Sequence, residues 1–470
     1  MKIQKEAQVA LEAGFSAIIE QFKLVADFPD AVLRDASIAI ADSSKATLQQ
    51  AEHGIRTDQT KLPFVTLDPA SSTDLDQAFF LEQDGNEIVL HYALADLTEF
   101  VPRGGSVEIE AWKRGVTIYG ISGKIPLYPK SISQNGASLL PDGVRPAVRV
   151  MVSIAQDGEI TLRGIDRILC HSRAKLAYDS FSVPSMPLLE QFAERMWMSD
   201  RNRGSVRVDT PKQEVVFDPS SPGGVRLSLK GKVYSESVNS ALSLSVNMAL
   251  GKLLCDAKMG VFRVMDAPEQ RAIERLRRQA KVMGLHWSDS QTLSDLQRTL
   301  SPDNLLHQQF LLEARRSGGR ATYACYSNDK KPWHSAIAAT YVHATAPMRR
   351  LADRYSLELA WLVANRKSIP DPLHAAIQQL PKVMEKSEQR ASNVDRAVID
   401  LIEAVSLQNR IGEILEAEVI DAEAGIVETT DFAIRSRAAQ LKSAKNGDRV
   451  RVRIDEADPK SRRVRLVAVV

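Results

Sequence analysis

The sequence predicts an α+β protein of 470 residues, in which a helical unit, a mixed domain of sheet and helices, and a small barrel follow one another. Apolar residues recur at helical spacing over the first part of the chain, whereas β-rich runs such as 88–95 appear from Leu62 onward. After Gly412 the apolar period returns to two, and about sixty residues of short strands is the size of a five-stranded barrel. We therefore expect domains at 1–60, 61–410 and 411–470.

The N-terminal unit begins with a helix whose apolar residues fall on one face. Phe28-Pro29-Asp30 interrupts it, a second helix is predicted at 31–41, and Asp42 is a suitable N-cap for a third. Small three-helix units of the winged or helix-turn-helix type sometimes bind nucleic acid, but most such segments only pack. Both interpretations stay open at this point.

The central part combines hairpins with long helices. One hairpin is predicted where the turn at Gln83–Asn86 joins two β-rich runs, and another where Gln156–Gly158 joins 148–154 to 159–168. Helices are predicted at 237–259, 268–284, 304–317, 348–365 and 375–412.

The composition is that of a soluble globular protein, with 44% apolar residues, 26% charged residues and a net charge of +2. Cys170, Cys255 and Cys325 match neither a zinc nor a disulfide spacing, which indicates a reducing compartment. The chain has neither a signal-peptide pattern nor an apolar run of about 18 residues, the length that crosses a membrane. We expect a cytoplasmic monomer without a membrane span.

The most informative segment is an acidic loop, in which Asp68, Asp74 and Asp76 place three carboxylates within nine residues. Neither Lys nor Arg occurs between Lys61 and Arg103, so the loop lacks local counter-charges. Oxygen ligands of this kind suit Mg²⁺ or Mn²⁺. A solvated acidic turn is the alternative.

A pair of arginines follows Pro347. Because proline is favoured at the first position of a helix, Arg349 and Arg350 are predicted to lie in the first helical turn, where unpaired N–H groups also attract anions. Asp353 stands four residues after Arg349 and is expected to hold its guanidinium. The pattern favours a phosphate site over plain surface charge.

Aromatic residues and a basic barrel complete the set. Tyr119, Trp333 and His334 could stack on nucleobases, at about 1–3 kcal/mol per base. From Arg435 to Arg465 the chain has eleven Lys or Arg against four Asp or Glu, an excess that indicates an RNA-binding or a solubilising face. The residues predicted to alternate along one basic sheet face are Arg449, Arg451 and Arg453. Acids, arginines, aromatics and a basic barrel together favour hydrolysis of a single-stranded polynucleotide.

Taken in order, these segments resemble the signature of the ribonuclease II (RNB) exoribonucleases over about residues 61–410. The C-terminal sixty residues are similar to the S1-type barrel, an OB fold, that ends these enzymes. The matching motifs lie at 66–78, 93–101, 125–129, 144–146, 262–264 and 347–353.

The resemblance implies a processive enzyme that degrades single-stranded RNA from its 3′ end, releases nucleoside 5′-monophosphates and needs Mg²⁺, with Mn²⁺ as a possible substitute. It implies that Asp68, Asp74 and Asp76 bind the metal, that Asp74 and Asp76 also take part in catalysis, and that Arg349 contacts the scissile phosphate. The RNA-contacting residues that it implies are Tyr119, Trp333 or His334, Arg350 and Asp395.

The sequence departs from the family pattern at three places. Gln77 stands where the family has a further Asp, Trp333 and His334 stand where it has a stacking Phe, and helical residues 1–60 stand in place of paired cold-shock barrels. The alternatives are a catalytically weak RNB-like RNA-binding protein, a phosphatase of the haloacid-dehalogenase type that uses Asp74-Leu75-Asp76, and a non-enzymatic adaptor built around the barrel. The residues around that Asp-x-Asp do not fit the phosphatase, and an adaptor leaves the acidic loop unexplained.

Overall fold

The computed structural model describes residues 2–52, 54–120, 123–205, 212–221, 225–231, 233–301, 304–422, 424–430, 432, 434–441 and 444–469. Its helices are α1 (Lys2–Gln21), α2 (Asp30–Glu52), α3 (Ser106–Arg114), α4 (Pro187–Arg203), α5 (Tyr234–Asp256), α6 (Gln270–Val282), α7 (Leu293–Thr299), α8 (Leu305–Ser317), α9 (Leu351–Ala364) and α10 (Asp371–Leu407). Short 3-10 turns occur at Leu97–Glu99 and Val183–Ser185, and a π-helical turn occurs at Ile132–Gly136.

The strands before the barrel are β1 (Thr57–Asp58), β2 (Val65–Asp68), β3 (Gln77–Asp84), β4 (Glu87–Ala95), β5 (Ile118–Gly120), β6 (Gly123–Ile125), β7 (Arg145–Ile154), β8 (Ile160–Cys170), β9 (Ala174–Ala177), β10 (Lys212–Phe217), β11 (Val225–Lys230), β12 (Val261–Val264) and β13 (Thr322–Cys325). The barrel strands are β14 (Ile414–Asp421), β15 (Ile426–Thr429), β16 (Arg435–Ala439), β17 (Arg449–Asp458) and β18 (Arg463–Val469).

A mixed sheet forms the centre of the fold, in the order β1-β8-β7-β4-β3-β2-β9. The pairs β1–β8 and β2–β9 are parallel and the other neighbours are antiparallel. Both predicted hairpins are present, as β3–β4 and β7–β8. Asp68 ends β2 and Gln77 begins β3, so the acidic loop connects two neighbouring strands at one end of the sheet.

The two N-terminal helices pack into the same apolar core as the sheet, α1 through residues such as Leu11 and Ile18 and α2 through Val32 and Ala36. The interruption at Phe28-Pro29-Asp30 is confirmed, because α2 begins at Asp30. The third helix expected after Asp42 is wrong, because α2 continues unbroken to Glu52. Gly14 lies directly against Leu401 of α10, where a Cβ would overlap the leucine side chain.

Helix α5 lies in the centre of the fold. Among the described residues, α5 is the one helix that is long and apolar enough to cross a membrane. However, 67% of its most apolar 18-residue stretch is buried inside the protein. Burial of this kind is typical of a core helix. The α+β fold class is confirmed.

The C-terminal strands close into a five-stranded barrel in the order β14-β15-β16-β18-β17, as expected of an OB fold. Strands β14, β15, β17 and β18 carry the alternation of apolar residues from which the barrel is predicted, whereas β16 (Arg435–Ala439) does not. Its inward residues include the small Ala438 and Ser436, which carry little hydrophobic signal.

Candidate nuclease site

A single buried leucine anchors the acidic loop. Leu75 is fully buried in a small core beneath the sheet, and its backbone N–H donates to Ser138 Oγ at 2.9 Å while its carbonyl accepts from Leu139 N at 3.0 Å. Its two neighbours contact other segments: Asp74 lies against Lys124 Nζ, and Asp76 accepts from Met348 N. The buried leucine therefore anchors the loop between these two carboxylates.

Side chains from β9 and α5 hold the backbone of the loop and of the strand before it. Lys175 on β9 donates from Nζ to the carbonyl oxygens of Ala70 at 2.7 Å and Ser72 at 2.6 Å. Asn239 on α5 donates to the carbonyl of Leu67 at 3.2 Å. Lys175 thus holds the outer part of the loop, and Asn239 holds the end of β2 from which the loop begins.

Asp76 is the most buried of the three acids, with 8% of its surface exposed. Its Oδ1 accepts a hydrogen bond from Met348 N at 2.7 Å, and its Oδ2 lies 3.8 Å from Nε of Arg349. Burial raises the pKa of Asp76 to about 7, and Arg349 and the Met348 N–H counteract only part of that rise. A carboxyl with such a pKa can exchange protons near neutral pH.

Asp68 is in a similar state. Burial raises its pKa to about 7, with Asp74 adding to the rise and Arg349 opposing it. Its Oδ2 is buried and has no hydrogen-bond partner among the described residues, and the same holds for the hydroxyl of Tyr92 nearby. A buried carboxylate oxygen without a partner is costly unless a ligand satisfies it.

Asp74 differs from the other two acids because a lysine lies in direct contact with it. Lys124 on β6 places its Nζ 2.5 Å from Oδ1 of Asp74, and both side chains are largely buried. The pair links the acidic loop to the β5–β6 hairpin.

The donor set fits an oxygen-binding cation. Among the described residues no group of three His, Cys, Asp or Glu side chains is arranged to hold a metal ion. Mg²⁺, however, is usually bound through one or two carboxylates together with waters and substrate phosphates, and not by a complete protein cage. The unpartnered oxygen of Asp68 matches that pattern, and Asp68 and Asp76 share Arg349 and Asp74 as charged neighbours.

The arginine pair is arranged differently from the sequence-based expectation. Helix α9 begins at Leu351, so both arginines precede it and do not lie in its first turn. The predicted pair between Arg349 and Asp353 is also wrong. Asp353 instead binds Arg350 with two hydrogen bonds, from Nε at 2.9 Å and from Nη2 at 2.8 Å.

Tertiary pairing explains the late helix start. The carbonyl of Arg349 accepts from Thr117 N at 3.0 Å, and Leu351 N donates to the carbonyl of Gly115 at 2.9 Å. Backbone groups that pair with a distant segment are not available to a helix, so the signal from Pro347 is overridden. As a result Arg349 stays free of Asp353, and its side chain is 50% exposed.

A cavity of about 290 Å³ opens beside Arg349. Tyr119 from β5, Arg350 and two acids of α10, Glu388 and Asp395, also line it. Burial raises the pKa of Asp395. The structure therefore brings together Tyr119, both arginines and Asp395, with Arg349 between the cavity and the buried Asp76.

The model of the RNB domain family matches residues 56–363, about two thirds of the chain. The chain belongs to the RNB family. This domain carries the acidic loop, both arginines and Tyr119, whereas Asp395 and the barrel lie beyond the matched residues.

Curated relatives agree with this assignment. Ribonuclease R of Mycoplasma pneumoniae is 24% identical over 416 residues, which covers 81% of this chain and 56% of the relative. Ribonuclease R of Thermotoga maritima is 24% identical over 422 residues, which covers 84% of this chain and 58% of the relative. The chain thus spans little more than half the length of these relatives.

Solved structures share the fold. Mycoplasma genitalium RNase R in complex with ribose-methylated single-stranded RNA superposes with a TM-score of 0.84 at 20% identity, covering 97% of this chain and 77% of that one. Yeast Ssd1, a pseudonuclease, superposes with a TM-score of 0.65 at 14% identity, covering 85% of this chain and 52% of that one.

Trp333 and His334 lie away from the cavity beside Arg349. Trp333 is 42% exposed and lines a second cavity of about 270 Å³ between α5 and the loop that follows β13. His334 is 9% exposed, packs against Tyr341 with ring centroids 6.0 Å apart, and has a pKa lowered to about 4 by burial. Neither ring lines the cavity at Arg349, so the structure does not bring these two rings to the cavity that Tyr119 lines.

The barrel arginines are exposed as predicted, with Arg449, Arg451 and Arg453 alternating along β17. The face is less basic than the strand alone suggests, because Glu418 and Glu416 on β14 stand opposite Arg449 and Arg451 in the register. Arg453 lies 3.8 Å from Asp455. The sequence could not show the pairing with Glu416 and Glu418, since these acids lie on another strand, whereas Asp455 lies on β17 itself.

Sequence reasoning also missed Lys124, Lys175 and Glu388. Lys124 and Lys175 are single lysines in strands without any motif, and contact with the acidic loop depends on how the strands pack. Glu388 pairs with Arg263 at 2.7 Å and could have been suspected from its position seven residues before Asp395, which places both on one side of a helix.

Proposed function

We propose that this protein is an Mg²⁺-dependent exoribonuclease that degrades single-stranded RNA processively from the 3′ end and releases nucleoside 5′-monophosphates. One observation carries the proposal. Arg349 is half-exposed at a cavity with Tyr119 and Asp395, and it stands 3.8 Å from the buried carboxylate of Asp76. A phosphate that entered the cavity could pair with this arginine beside a carboxylate able to accept a proton.

Each residue has a separate role in this reaction. Tyr119 would stack on the last base, Asp395 would contact the terminal nucleotide, and Arg349 would neutralise charge on the phosphate in the transition state. Asp76 would orient the attacking water and accept its proton. The bond between phosphorus and the 3′-oxygen of the preceding nucleotide breaks, and that oxygen takes up a proton to restore a 3′-hydroxyl.

Asp68, Asp74 and Asp76 would hold Mg²⁺, with Mn²⁺ as a substitute. When bound, the ion would supply Lewis-acid stabilisation of charge on the reacting oxygens. Arg350, fixed by Asp353, would give the cavity a second positive charge. The exposed Arg449, Arg451 and Arg453 would contact RNA phosphates, and the protein would act as a cytoplasmic monomer.

The proposal is tested by digesting 5′-labelled single-stranded RNA with Mg²⁺ and separating the products by chromatography. With RNA in excess over enzyme, we expect full-length labelled RNA and a short labelled end product with few intermediates, because a processive enzyme finishes one strand before it binds the next, and we expect nucleoside 5′-monophosphates as the released product. Immediate release of a labelled mononucleotide would indicate the opposite polarity. Internal fragments would indicate an endonuclease, and either result would refute the proposal.

A second candidate is an RNB-like protein that binds RNA without turnover. Gln77 supplies no charge where the family pattern has an acid, and Lys124 already neutralises Asp74. Intact RNA after incubation with Mg²⁺ or Mn²⁺, together with retained RNA binding, would favour this candidate.

A further inference from the structure

Lys124 occupies a position that an inorganic cation could take. Its Nζ lies 2.5 Å from Oδ1 of Asp74, and the side chains of Lys124 and Asp74 are 20% and 16% exposed. Removing two charges from water is costly, and close contact in the protein interior offsets that cost. The ammonium therefore neutralises Asp74 from within the site.

The backbone around Lys124 explains how the ammonium reaches the acids. Strand β6 pairs with β5, and Lys124 stands opposite Tyr119 in the register of that hairpin. Tyr119 lines the cavity beside Arg349, while Lys124 reaches the acidic loop. The same short hairpin thus supplies one wall of the cavity and one positive charge of the acidic site.

Charge balance limits what else can bind. Asp68, Asp74 and Asp76 carry three negative charges when ionised, and Lys124 cancels one of them. Arg349 is half-exposed and is available to balance an incoming phosphate. The two remaining negative charges match one divalent cation, and the neutral Gln77 at the start of β3 adds none.

We propose that Lys124 takes the place of a second divalent cation at Asp74, so that the site binds one divalent ion, on the side of Asp68 and Asp76. The inference rests on the proposed function only in using the same acids as the metal site. It makes the lysine a positioning residue, because Lys124 contacts Asp74 and not the substrate.

The experiment is a titration of the full chain with Mn²⁺ in the absence of RNA, with free Mn²⁺ measured by electron paramagnetic resonance. Weak sites elsewhere are subtracted with the Asp68→Asn/Asp76→Asn variant. We expect one bound ion in the wild-type site. Lys124→Met should bind a second ion, or the first ion about tenfold or more tightly, because a nearby positive charge has been removed.

Two further variants make the test specific. Lys124→Arg keeps the charge and should keep the one-ion stoichiometry. Lys113→Met removes the charge of an ion pair whose lysine is 66% exposed on α3, and it should leave the titration unchanged. Thermal unfolding establishes that each variant is folded. If Lys124→Met does not fold, the number of ions that the wild type binds still decides the inference.

Two ions in the wild-type site would overturn the inference, since the ammonium would then have been displaced. Identical titrations for the wild type and a folded Lys124→Met variant would overturn it as well, and so would the absence of any site ion. None of these outcomes depends on RNA hydrolysis. Release of nucleoside 5′-monophosphates by a two-ion enzyme would refute this inference and leave the proposed function intact.

Discussion

Two buried aspartates at the same end of the β3–β4 hairpin, Asp76 just before β3 and Asp96 just after β4, are in opposite electrostatic states. Asp96 is 2% exposed and binds Arg56 at 2.8 Å and Arg167 at 3.3 Å. These arginines lower the pKa of Asp96 in spite of its burial. Asp76 is 8% exposed, has Arg349 at 3.8 Å, and has a pKa raised to about 7 by burial.

The difference shows that burial alone does not determine what an acid does in this fold. The cations around Asp96 face inward and are themselves buried or largely buried, so the group is a closed ion-pair network that holds β4 to its neighbours. The cation beside Asp76 is half-exposed at a cavity, so this acid remains incompletely compensated. Such incomplete compensation is typical of functional sites.

The largest expected effect is on turnover. Asp76→Asn should lower kcat by about a thousandfold or more, because the neutral amide cannot accept the proton of the attacking water. RNA affinity should change little, since the cavity residues are untouched. The measurement is single-turnover hydrolysis of single-stranded RNA together with a direct binding assay, and wild-type kcat in the variant would remove Asp76 from the mechanism.

Loss of Arg349 should come next. Arg349→Ala should lower kcat by roughly a hundredfold to a thousandfold, as expected when a transition-state charge loses its partner. Arg56→Ala serves as the contrast, because its effect should fall on folding, with near-normal kcat per folded molecule. Equal effects of both variants on kcat would break the distinction between the two regions.

Stability should respond in opposite directions at the two aspartates. The pKa of folded Asp96 lies below its unfolded value, so its stabilisation is present at neutral pH and disappears as the pH falls through that lowered pKa. Asp96→Asn should therefore cost about 3 kcal/mol or more at pH 7, as when a buried ion pair loses one partner. Denaturant unfolding measures this loss, and a change near zero would contradict the network described for Asp96.

For Asp76 the sign is reversed. Its folded pKa of about 7 lies above the ordinary aspartate pKa of 3.8, so the folded state binds more protons between those values and loses stability as the pH rises through them. Without metal, Asp76→Asn should stabilise the protein by roughly 1 to 3 kcal/mol at pH 8 and have little effect near pH 4. Unfolding curves at the two pH values in the presence of a chelator test this expectation, which destabilisation at pH 8 would contradict.

The smallest expected effect is on RNA binding, at the wall of the cavity beside Arg349. Tyr119→Ala should weaken RNA binding about tenfold, through loss of stacking on one base. Trp333→Ala is the matched control, because Trp333 is similarly exposed but lines the other cavity. Binding assays on both variants would show whether the site cavity or the Trp333 cavity receives the RNA end.

Some of these features follow from the sequence alone. The acidic loop was recognisable because three carboxylates fall within nine residues without a local counter-charge, and the barrel because apolar residues alternate over short strands. Both signals are local, since each depends on residues a few positions apart. The order of the RNB motifs added the arginine pair and Tyr119 to the same site, and the structure brings Tyr119, Arg349, Arg350 and Asp395 to one cavity.

The tertiary structure alone decided the partners of those residues. Asp353 binds Arg350 and not Arg349, because backbone pairing with Gly115 and Thr117 delays the start of α9. Lys124 reaches Asp74 across fifty positions of sequence. Helical and strand periodicity describe which face a side chain occupies, whereas its charge partner depends on which distant segment packs against that face.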